Sequence, residues 1–343
     1  MKKLSWGIIG AGRIAGSFAR DVRFVRESEL VAVASRSLDH AKKFAGRHGI
    51  GHAYGGYEAL LADPAVDAVY IATPHAQHLP NASAALRAGK AVLCEKPLTL
   101  NPEECRELMV VAQETGGYLM EGMWTYFLPA IQKAVAWVRE GRIGRIRHVQ
   151  ADFGYPQLPY DPARREYDAT LGGGCLLEMG IYPVAFAWLI QQSDPEDLKV
   201  LVRHAPNGVE DDLVMLWRYP ESTATLGTSF RCKLRNWAYV IGEEGYIAIP
   251  DFWRAGEAMH YRLDECMEHF HDGRESLGFE YEISAVMKDL MAGRRESPVM
   301  PLSTSLKFQE QMQRVGAVCG NLIPAGGRSR QPTPGVAGGV VQA

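Results

Sequence analysis

The stretch Leu4-Ser-Trp-Gly-Ile-Ile-Gly10-Ala-Gly12-Arg-Ile-Ala15 decides the fold of the first half of the chain. A short apolar run leads directly into a Gly-x-Gly-x-x-Ala turn, and a helical pattern follows. The first glycine of such a turn permits a tight bend, and the second lets the pyrophosphate of a dinucleotide approach the backbone. Ala15 allows the helix to pack on the sheet, and the helix start at Arg13 and Ile14 can bind phosphate. The stretch therefore predicts a strand, a phosphate-binding turn and a helix.

The alternation of apolar strands and helical patterns continues to about residue 122. After Leu4–Ile9, further strands are predicted at Leu30–Ala34, Ala68–Ala72, Ala91–Cys94 and Tyr118–Glu121. Helices are predicted near Ile14–Arg26, Asp39–His48, Ala76–Ala88 and Pro102–Thr115. Strands and helices that alternate at this spacing indicate a parallel, doubly wound sheet. We therefore expect an α/β chain whose residues 1–122 form a dinucleotide-binding Rossmann domain.

The second half has a different pattern, with a helix near Phe127–Glu140, a strand at Ile146–Phe153, three glycines at 172–174 and a helix that ends near Gln191. Later strands are predicted at Lys199–His204, Leu213–Tyr219, Thr223–Phe230, Trp237–Ile241 and Tyr246–Ile249, and later helices near Glu280–Met291 and Ser303–Cys319. The short connections favour antiparallel pairing. We expect a C-terminal α+β domain over residues 123–321, built on a largely antiparallel open sheet, and a low-complexity C-terminal tail over residues 322–343.

Composition excludes several classes of partner. The 343 residues suit two domains, and a formal net charge of −3 without a basic stripe argues against nucleic acid and membrane surfaces. No apolar run approaches the roughly 20 residues of a membrane span. The six cysteines are scattered, which predicts reduced thiols in the cytoplasm. His269 and His271 lie near Cys266 but lack a further ligand, so no metal is expected.

The residues after the second strand bear on the choice of dinucleotide. NAD sites usually place Asp or Glu there to bind the ribose 2′-hydroxyl, and that charge repels a 2′-phosphate. This chain has Ser35-Arg36-Ser37 instead, a cation between two hydroxyls. Arg36 can stack on adenine and pair with the phosphate, although an exposed loop arginine is the alternative. We expect NADP as the cofactor, in preference to NAD.

A charged pair followed by proline, Glu95-Lys96-Pro97, ends the fifth strand. Ligands of such sheets bind beyond the carboxyl ends of the strands, so Lys96 is expected to point toward the nicotinamide. Pro97 disfavours the helical conformation for Lys96. Without other evidence, a lysine at a strand end is more often a solvated surface group. Its neighbours in the sequence change that interpretation.

Three motifs together make the chain resemble the Gfo/Idh/MocA oxidoreductases: Gly10–Ala15, Glu95–Pro97 and Gly172–Pro183. The resemblance extends from Met1 to about Gly320. Within the family the chain is most similar to the dimeric dihydrodiol dehydrogenases and the NADP-dependent D-xylose 1-dehydrogenases. That closer similarity rests on Leu119–Pro129, Gln150–Gly154 and Glu282–Leu302.

The resemblance implies that Lys96 and Tyr182 handle a proton while a hydride moves to or from the nicotinamide. Free tyrosine, with a pKa of about 10, is a weak acid until a cation favours the phenolate, and Lys96 could supply that cation. Taken alone, Tyr182 would more readily be a half-buried core aromatic. Glu178 lies one helical turn before Tyr182, where the family usually has Asp. Its carboxylate could bind a substrate hydroxyl or orient the proton relay, with a reach longer by roughly 1 Å.

Other parts of the site also follow from the resemblance. Cofactor contacts are expected at Thr73, Pro74, His75, His78, Glu95 and Arg165. Trp124, Phe153 and Trp253 suit stacking on the apolar face of a sugar or diol, although each alone would as readily be core packing. The resemblance further suggests a cis Lys96–Pro97 bond and a homodimer or higher homo-oligomer formed through the open sheet.

The leading hypothesis is an NADP-dependent oxidoreductase that transfers a hydride between nicotinamide and a small-molecule sugar, polyol or cyclic diol, of the aldose 1-dehydrogenase or dihydrodiol dehydrogenase type. The alternative is a non-catalytic NAD(P)-binding sensor of the same fold. The presence of both Lys96 and Tyr182 speaks against it, because a sensor does not need proton-transfer groups. A glycosidase that oxidises a sugar transiently with bound NAD is a third possibility, which Arg36 disfavours. The substrate and the direction of the reaction stay open.

Overall fold

The computed structural model describes residues 3–320, and the first half of that range forms a parallel sheet. Its strands are β1 (Leu4–Ile9), β2 (Ser28–Ala34), β3 (His52–Tyr54), β4 (Ala68–Ile71), β5 (Ala91–Glu95) and β6 (Leu119–Gly122). The intervening helices are α1 (Arg13–Asp21), α2 (Leu38–His48), α3 (Tyr57–Leu61), α4 (His78–Arg87) and α5 (Pro102–Thr115). The spatial order is β3-β2-β1-β4-β5-β6 with every neighbouring pair parallel. This confirms the predicted Rossmann sheet, whose order reverses between β1 and β4.

The local sequence explains these elements. All residues of β4 and β5 are buried, as expected for central parallel strands covered by helices on both faces. The helix start predicted at Asn101 and Pro102 is also present. The side chain of Asn101 accepts the backbone N–H of Glu104 at 2.8 Å, and α5 ends at Gly116, whose φ is +63°.

The second half forms a larger, mixed sheet. Its strands are β7 (Ile146–Gly154), β8 (Asp197–His204), β9 (Glu210–Arg218), β10 (Thr223–Ser229), β11 (Ala238–Gly242), β12 (Tyr246–Ile249), β13 (Glu257–Arg262) and β14 (Glu265–His271). The order is β14-β13-β12-β11-β7-β10-β9-β8. Among the described strands of this second sheet, only β7 and β10 pair in parallel. The prediction of a largely antiparallel sheet is confirmed.

Three helices cover one face of this sheet: α6 (Pro129–Arg139), α7 (Ile181–Gln191) and α9 (Leu302–Val318). Helix α8 (Phe279–Met291) packs instead on α1 of the first half. Helices α6 and α7 pack on the strands, whereas α9 lies between α5 and α7 and so contacts both halves of the chain. The other face is uncovered along β8 and β9. There the exposed Leu201 pairs with the exposed Val214, and Leu216 is also exposed.

The last part of the chain returns to the first sheet. One carboxylate oxygen of Asp21, at the end of α1, accepts the backbone N–H groups of Leu277, Gly278 and Phe279 at 2.9, 3.0 and 3.1 Å. Phe279 is the first residue of α8, and Leu277 and Gly278 directly precede it, so Asp21 holds the start of this helix. The predicted domain boundaries stay predictions, and the tail predicted over residues 322–343 lies outside the described residues.

One segment within residues 3–320, Ala169–Gln191, is long and apolar enough to cross a membrane by length and composition alone. In the fold, 78% of its most apolar window is buried inside the protein. A buried core helix passes the same test, so this segment is weak evidence for a membrane span.

Candidate functional site

The turn after β1 has the geometry of a phosphate cradle. Gly10 has a φ of +97°, and a Cβ there would lie 2.7 Å from the carbonyl oxygen of Ala72, so the position requires glycine. Gly12 is the N-cap of α1 and provides no side-chain cap, and a Cβ at Gly12 would meet nothing within 4 Å. The start of α1, at the exposed Arg13 and Ile14, therefore has unpartnered backbone donors beside open space. These residues fit a dinucleotide pyrophosphate.

The residues that follow β2 carry a cation at the position where NAD sites place an acid. Ser35 is buried, whereas Arg36 is exposed. The hydroxyl of Ser37 accepts the backbone N–H of His40 at 3.3 Å and so caps α2. Arg36 and Ser35 thus lie at the carboxyl end of β2, beside the glycine turn of the neighbouring β1.

His78 joins two loops at the carboxyl edge of the parallel sheet. Its ring is fully buried, with Nδ1 at 2.7 Å from the carbonyl oxygen of Pro97 and Nε2 at 2.9 Å from that of Thr73. Burial and the neighbouring His75 lower the pKa of His78 to about 3, against the opposing effect of the two carbonyls. The neutral ring therefore donates one hydrogen bond and connects the Lys96–Pro97 loop to the loop after β4. A direct contact of His78, or of Thr73 and Pro74, with a cofactor stays a prediction.

Lys96 follows β5, and the Lys96–Pro97 bond is cis, as the resemblance suggested. Its ammonium donates to the backbone carbonyl of Glu178 at 2.7 Å and lies 5.0 Å from the centroid of the Tyr182 ring. Glu178 is part of a π-helical turn, Leu176–Gly180, that precedes α7. Such turns are frequent at functional sites. The structure thus brings Lys96, Glu178 and Tyr182 together at the carboxyl edge of the parallel sheet.

The carboxylate of Glu178 is held by the side chains of Arg165 and His75. Arg165 donates to both oxygens, at 2.7 and 3.1 Å, and Nε2 of His75 lies 3.2 Å from one of them. Burial raises the pKa of Glu178, but Lys96, His75 and Arg165 outweigh it and hold the pKa well below its usual range. Because both oxygens are engaged by the protein, the geometry favours the orienting role of Glu178 over direct binding of a substrate hydroxyl.

Tyr182 lies in an aromatic cluster. It is 7% exposed, and its hydroxyl oxygen accepts the indole N–H of Trp124 at 3.2 Å. The ring centroids of Phe153 and Trp253 lie 5.1 and 6.0 Å from that of Tyr182, and Trp124 lies 5.6 Å from Trp253. The three aromatic residues singled out in the sequence therefore converge around one phenol. Whether they contact a substrate stays a prediction.

The ionisation of Tyr182 depends on its surroundings in the fold. Burial raises the pKa of Tyr182 well above its ordinary value, and the nearby Glu95 raises it further, whereas the hydrogen bond from Trp124 has the opposite, smaller effect. The ammonium of Lys96 lies over the ring, 5.0 Å from its centroid. The effect of Lys96 on the acidity of Tyr182 stays a prediction.

Two buried groups near Lys96 had no recognisable signal in the sequence. Tyr70 lies in the apolar strand β4, and its hydroxyl donates to a carboxylate oxygen of Glu95. Glu282 lies in α8, fully buried, and neither of its oxygens has a hydrogen-bond partner among the described residues. Burial raises the pKa of Glu282 well above its usual range, and the neighbouring Glu95 and Asp21 add to the shift.

The sequence matches two family models. Residues 4–123 match one described as "Oxidoreductase family, NAD-binding Rossmann fold", and residues 131–248 match the GFO/IDH/MocA C-terminal domain. Among curated proteins, the human trans-1,2-dihydrobenzene-1,2-diol dehydrogenase is 36% identical over 334 residues, which cover 94% of this chain and 98% of the relative. The zebrafish (Danio rerio) protein of the same name is 32% identical, with 92% and 98% covered.

Solved structures share the fold. A 3-ketoreductase from Actinomadura kijaniata, solved with NADP and TDP-benzene, is 29% identical with a TM-score of 0.80, covering 92% of this chain and 98% of that one. An aldose-aldose oxidoreductase from Caulobacter crescentus, solved with glycerol, has a TM-score of 0.84 over 93% of this chain and 98% of its own. At 23% identity, the second similarity concerns the fold alone.

We expect Glu178→Gln to lower the free energy of unfolding near neutral pH, because it leaves His75, Arg165 and Lys96 without their shared counter-charge. The pKa of Glu178 is depressed in the folded state, so its contribution is present above the unfolded pKa of about 4.3 and is lost as the pH falls through the folded value. Urea unfolding should separate parent and variant at about pH 7, with the difference shrinking below about pH 4.

The matched control is Glu114→Gln, an exposed position in α5, which should give no pH-dependent difference. Equal stability of the parent and Glu178→Gln at neutral pH would show that the carboxylate does not hold these cations.

Proposed function

Because this chain belongs to the Gfo/Idh/MocA family of oxidoreductases, we propose that it is an NADP-dependent dehydrogenase or reductase acting on the CH–OH group of a sugar, polyol or cyclic diol. The observation that carries the proposal is the joint position of Lys96 and Tyr182, with 5.0 Å between ammonium and ring centroid. The pair lies at the edge of the sheet where ligands of doubly wound folds bind.

Tyr182 is the proposed proton-transfer group. Its oxygen already accepts from Trp124, so its own proton is available for the oxygen of a carbonyl substrate. In the opposite direction the phenolate oxygen takes the proton of the substrate hydroxyl, and the indole N–H of Trp124 stabilises the phenolate. When bound, the nicotinamide supplies or accepts the electron pair and the hydrogen that the substrate carbon gains or loses. Tyr182 keeps its proton at neutral pH, which favours proton donation to a carbonyl.

Lys96 and Glu178 are proposed to set the geometry of this step. The bond from Lys96 to the Glu178 carbonyl fixes the ammonium over the Tyr182 ring. A cation at this place can also attract the oxygen of a substrate and hold it against the phenol. Glu178, locked by Arg165 and His75, keeps the carbonyl in position.

The cofactor would be held by the first domain. Gly10 and Gly12 shape the cradle for the pyrophosphate, and Arg36, with Ser35 beside it, is proposed to bind the 2′-phosphate of NADP. The related 3-ketoreductase was solved with NADP, which supports this choice.

The substrate class is inferred from the aromatic cluster and from the relatives. Trp124, Phe153 and Trp253 form a neutral wall beside the phenol, suited to the flat apolar face of a ring compound. The curated relatives carry the name of a cyclic diol, which supports a diol or a sugar.

Pairing of two copies through the open sheet is part of the proposal. Leu201, Val214 and Leu216 present side chains 74%, 42% and 49% exposed on adjoining strands, and Met267 on β14 is 50% exposed. An apolar sheet face of this kind is typical of an association surface. The cytoplasmic location expected from the cysteines stays a prediction.

We expect the protein to bind NADPH more tightly than NADH, and Arg36→Glu to weaken NADPH binding by about 10- to 100-fold, the value of a charge-assisted contact. The new acid also repels the 2′-phosphate. Titration of the fluorescence of the reduced cofactor measures both affinities. Lys42→Glu, which makes the same charge change on the exposed face of α2, should have little effect. Equal affinity of the parent for NADPH and NADH would overturn the assignment.

The central test of the proposed function follows the absorbance of reduced cofactor with NADP and a panel of cyclic diols and aldoses. Tyr182→Phe should lower turnover of the best substrate by about 10²–10⁴-fold while cofactor affinity barely changes. Tyr126→Phe is the matched control, because it removes another buried hydroxyl, bonded to the carbonyl of Ala185. Cofactor binding without turnover on any substrate would favour the sensor alternative, and full activity of Tyr182→Phe would place proton transfer elsewhere.

The pH dependence of the two reaction directions tests the role of Tyr182 separately. Alcohol oxidation needs the phenolate, and the pKa of Tyr182 is raised, so the oxidation rate should climb through the neutral range without a plateau. Carbonyl reduction needs the protonated phenol and should be flat over that range. An oxidation rate that levels off below about pH 7 would contradict Tyr182 as the base.

A further inference from the structure

Tyr70 is a fully buried tyrosine in the middle of the parallel sheet. Its ring stacks on Phe18 of α1, with centroids 3.9 Å apart and planes within 6°. A phenylalanine would fill the same space in the core, so the hydroxyl needs its own explanation. That hydroxyl donates to Oε1 of Glu95, at the end of the adjacent strand β5. A buried hydroxyl with a specific carboxyl partner is a directional contact, not general packing.

Glu95 also forms a hydrogen bond with the backbone of Lys96. Its side chain is 8% exposed, and its second oxygen, Oε2, accepts the backbone N–H of Lys96 at 3.2 Å. One carboxyl group therefore bridges the hydroxyl of Tyr70 and the backbone of Lys96. The side chain of Glu95 therefore extends from β5 toward β4.

A chain of ring contacts also connects Phe18 to Tyr182. Phe18 meets Phe279 edge to face, with centroids 6.4 Å apart, and Phe279 lies 4.6 Å from the ring of Trp124. Trp124 in turn donates to the Tyr182 hydroxyl. Helix α1, which begins at the glycine turn, thus contacts residues that lead to both members of the Lys96–Tyr182 pair.

We propose that Tyr70 is a positioning residue: its hydroxyl holds Glu95 against the backbone of Lys96, and its ring ties that arrangement to α1, the helix at the phosphate cradle. The inference rests on the proposed function for the role of Lys96. A displacement of about 1 Å at a catalytic group can cost roughly 10²-fold in rate. Loss of the Tyr70 hydroxyl therefore acts on turnover, while the glycine turn and Arg36 keep their geometry.

The test compares Tyr70→Phe with Tyr118→Phe. Tyr118 is also buried, and its hydroxyl donates to Asp289 at 2.8 Å, but it lies before β6 at the opposite edge of the sheet. Tyr70→Phe should lower kcat by about 10- to 100-fold and leave KM for NADP and for the substrate within about twofold. Tyr118→Phe should keep kcat within about twofold although it removes an equivalent bond. Parental kcat in Tyr70→Phe, or a rise of KM alone, would overturn the proposal.

A second measurement separates this inference from the proposed function. Competitive acylation of lysines, read by mass spectrometry, should modify Lys96 several-fold faster in Tyr70→Phe than in the parent, relative to the exposed Lys43. Tyr118→Phe should leave that ratio unchanged. If the parent shows no turnover, the proposed function is contradicted, and the ratio of Lys96 to Lys43 acylation still decides the role of Tyr70. The same ratio in Tyr70→Phe and in Tyr118→Phe would overturn the role proposed for Tyr70.

Phe18→Leu keeps the Tyr70 hydroxyl and removes the ring stack, together with the edge-to-face contacts of Phe18 with Trp6 and Phe279. It should lower kcat less than Tyr70→Phe does, because the bond from Tyr70 to Glu95 stays in place. A loss of kcat in Phe18→Leu as large as that in Tyr70→Phe would show that the ring and not the hydroxyl carries the effect, against the proposal.

Discussion

The arrangement of the site depends on one largely buried carboxylate, that of Glu178, whose charge must be compensated. Taking an ionised glutamate out of water costs several kcal/mol unless nearby cations and hydrogen bonds compensate. For Glu178 the compensation comes from both halves of the chain: His75 follows β4 of the first sheet, and Arg165 precedes the three glycines of the second half. Lys96 adds its charge and binds the carbonyl of the same residue. The carboxyl edge of the parallel sheet is thereby fixed against the π-helical turn, and Tyr182, one turn later, comes to lie over Lys96.

This constraint divides the site into a charged side and a neutral side. On the neutral side the phenol of Tyr182 is surrounded by aromatic rings and keeps its proton. On the charged side Lys96 is fixed by contacts from two directions, the Glu178 carbonyl and the Glu95 carboxyl. Helix α1 is connected to both sides. Its Phe18 stacks on Tyr70, and its Asp21 accepts a hydrogen bond from the first residue of α8. A dinucleotide bound at the start of this helix would therefore lie next to the residues that position Lys96 and Tyr182, the proposed proton-transfer pair.

The sequence predicted what depends on local pattern. The Rossmann sheet and the convergence of Lys96 with Tyr182 rest on short motifs whose geometry is strongly constrained. The strands β13 and β14, the second of which lies at the edge of the sheet, were not predicted, because their many polar residues do not resemble a buried strand. The raised pKa of Tyr182 was not predicted, since it depends on burial by residues distant in the chain. The hydrogen bond from Tyr70 to Glu95 joins residues that are 25 positions apart, and the hydrophobic pattern of neither strand predicts it.

The central claim is that this site moves hydrogen between a carbon bearing a hydroxyl and a nicotinamide. The most direct measurement uses a cyclic diol or aldose deuterated at its CH–OH carbon, with NADP and the purified protein, and determines the mass of the reduced cofactor formed. The account predicts reduced NADP that is heavier by one deuterium and that forms about 10²–10⁴-fold more slowly when Tyr182 is replaced by Phe. Reduced cofactor without deuterium, or no reduction with any diol or aldose despite tight cofactor binding, would contradict it.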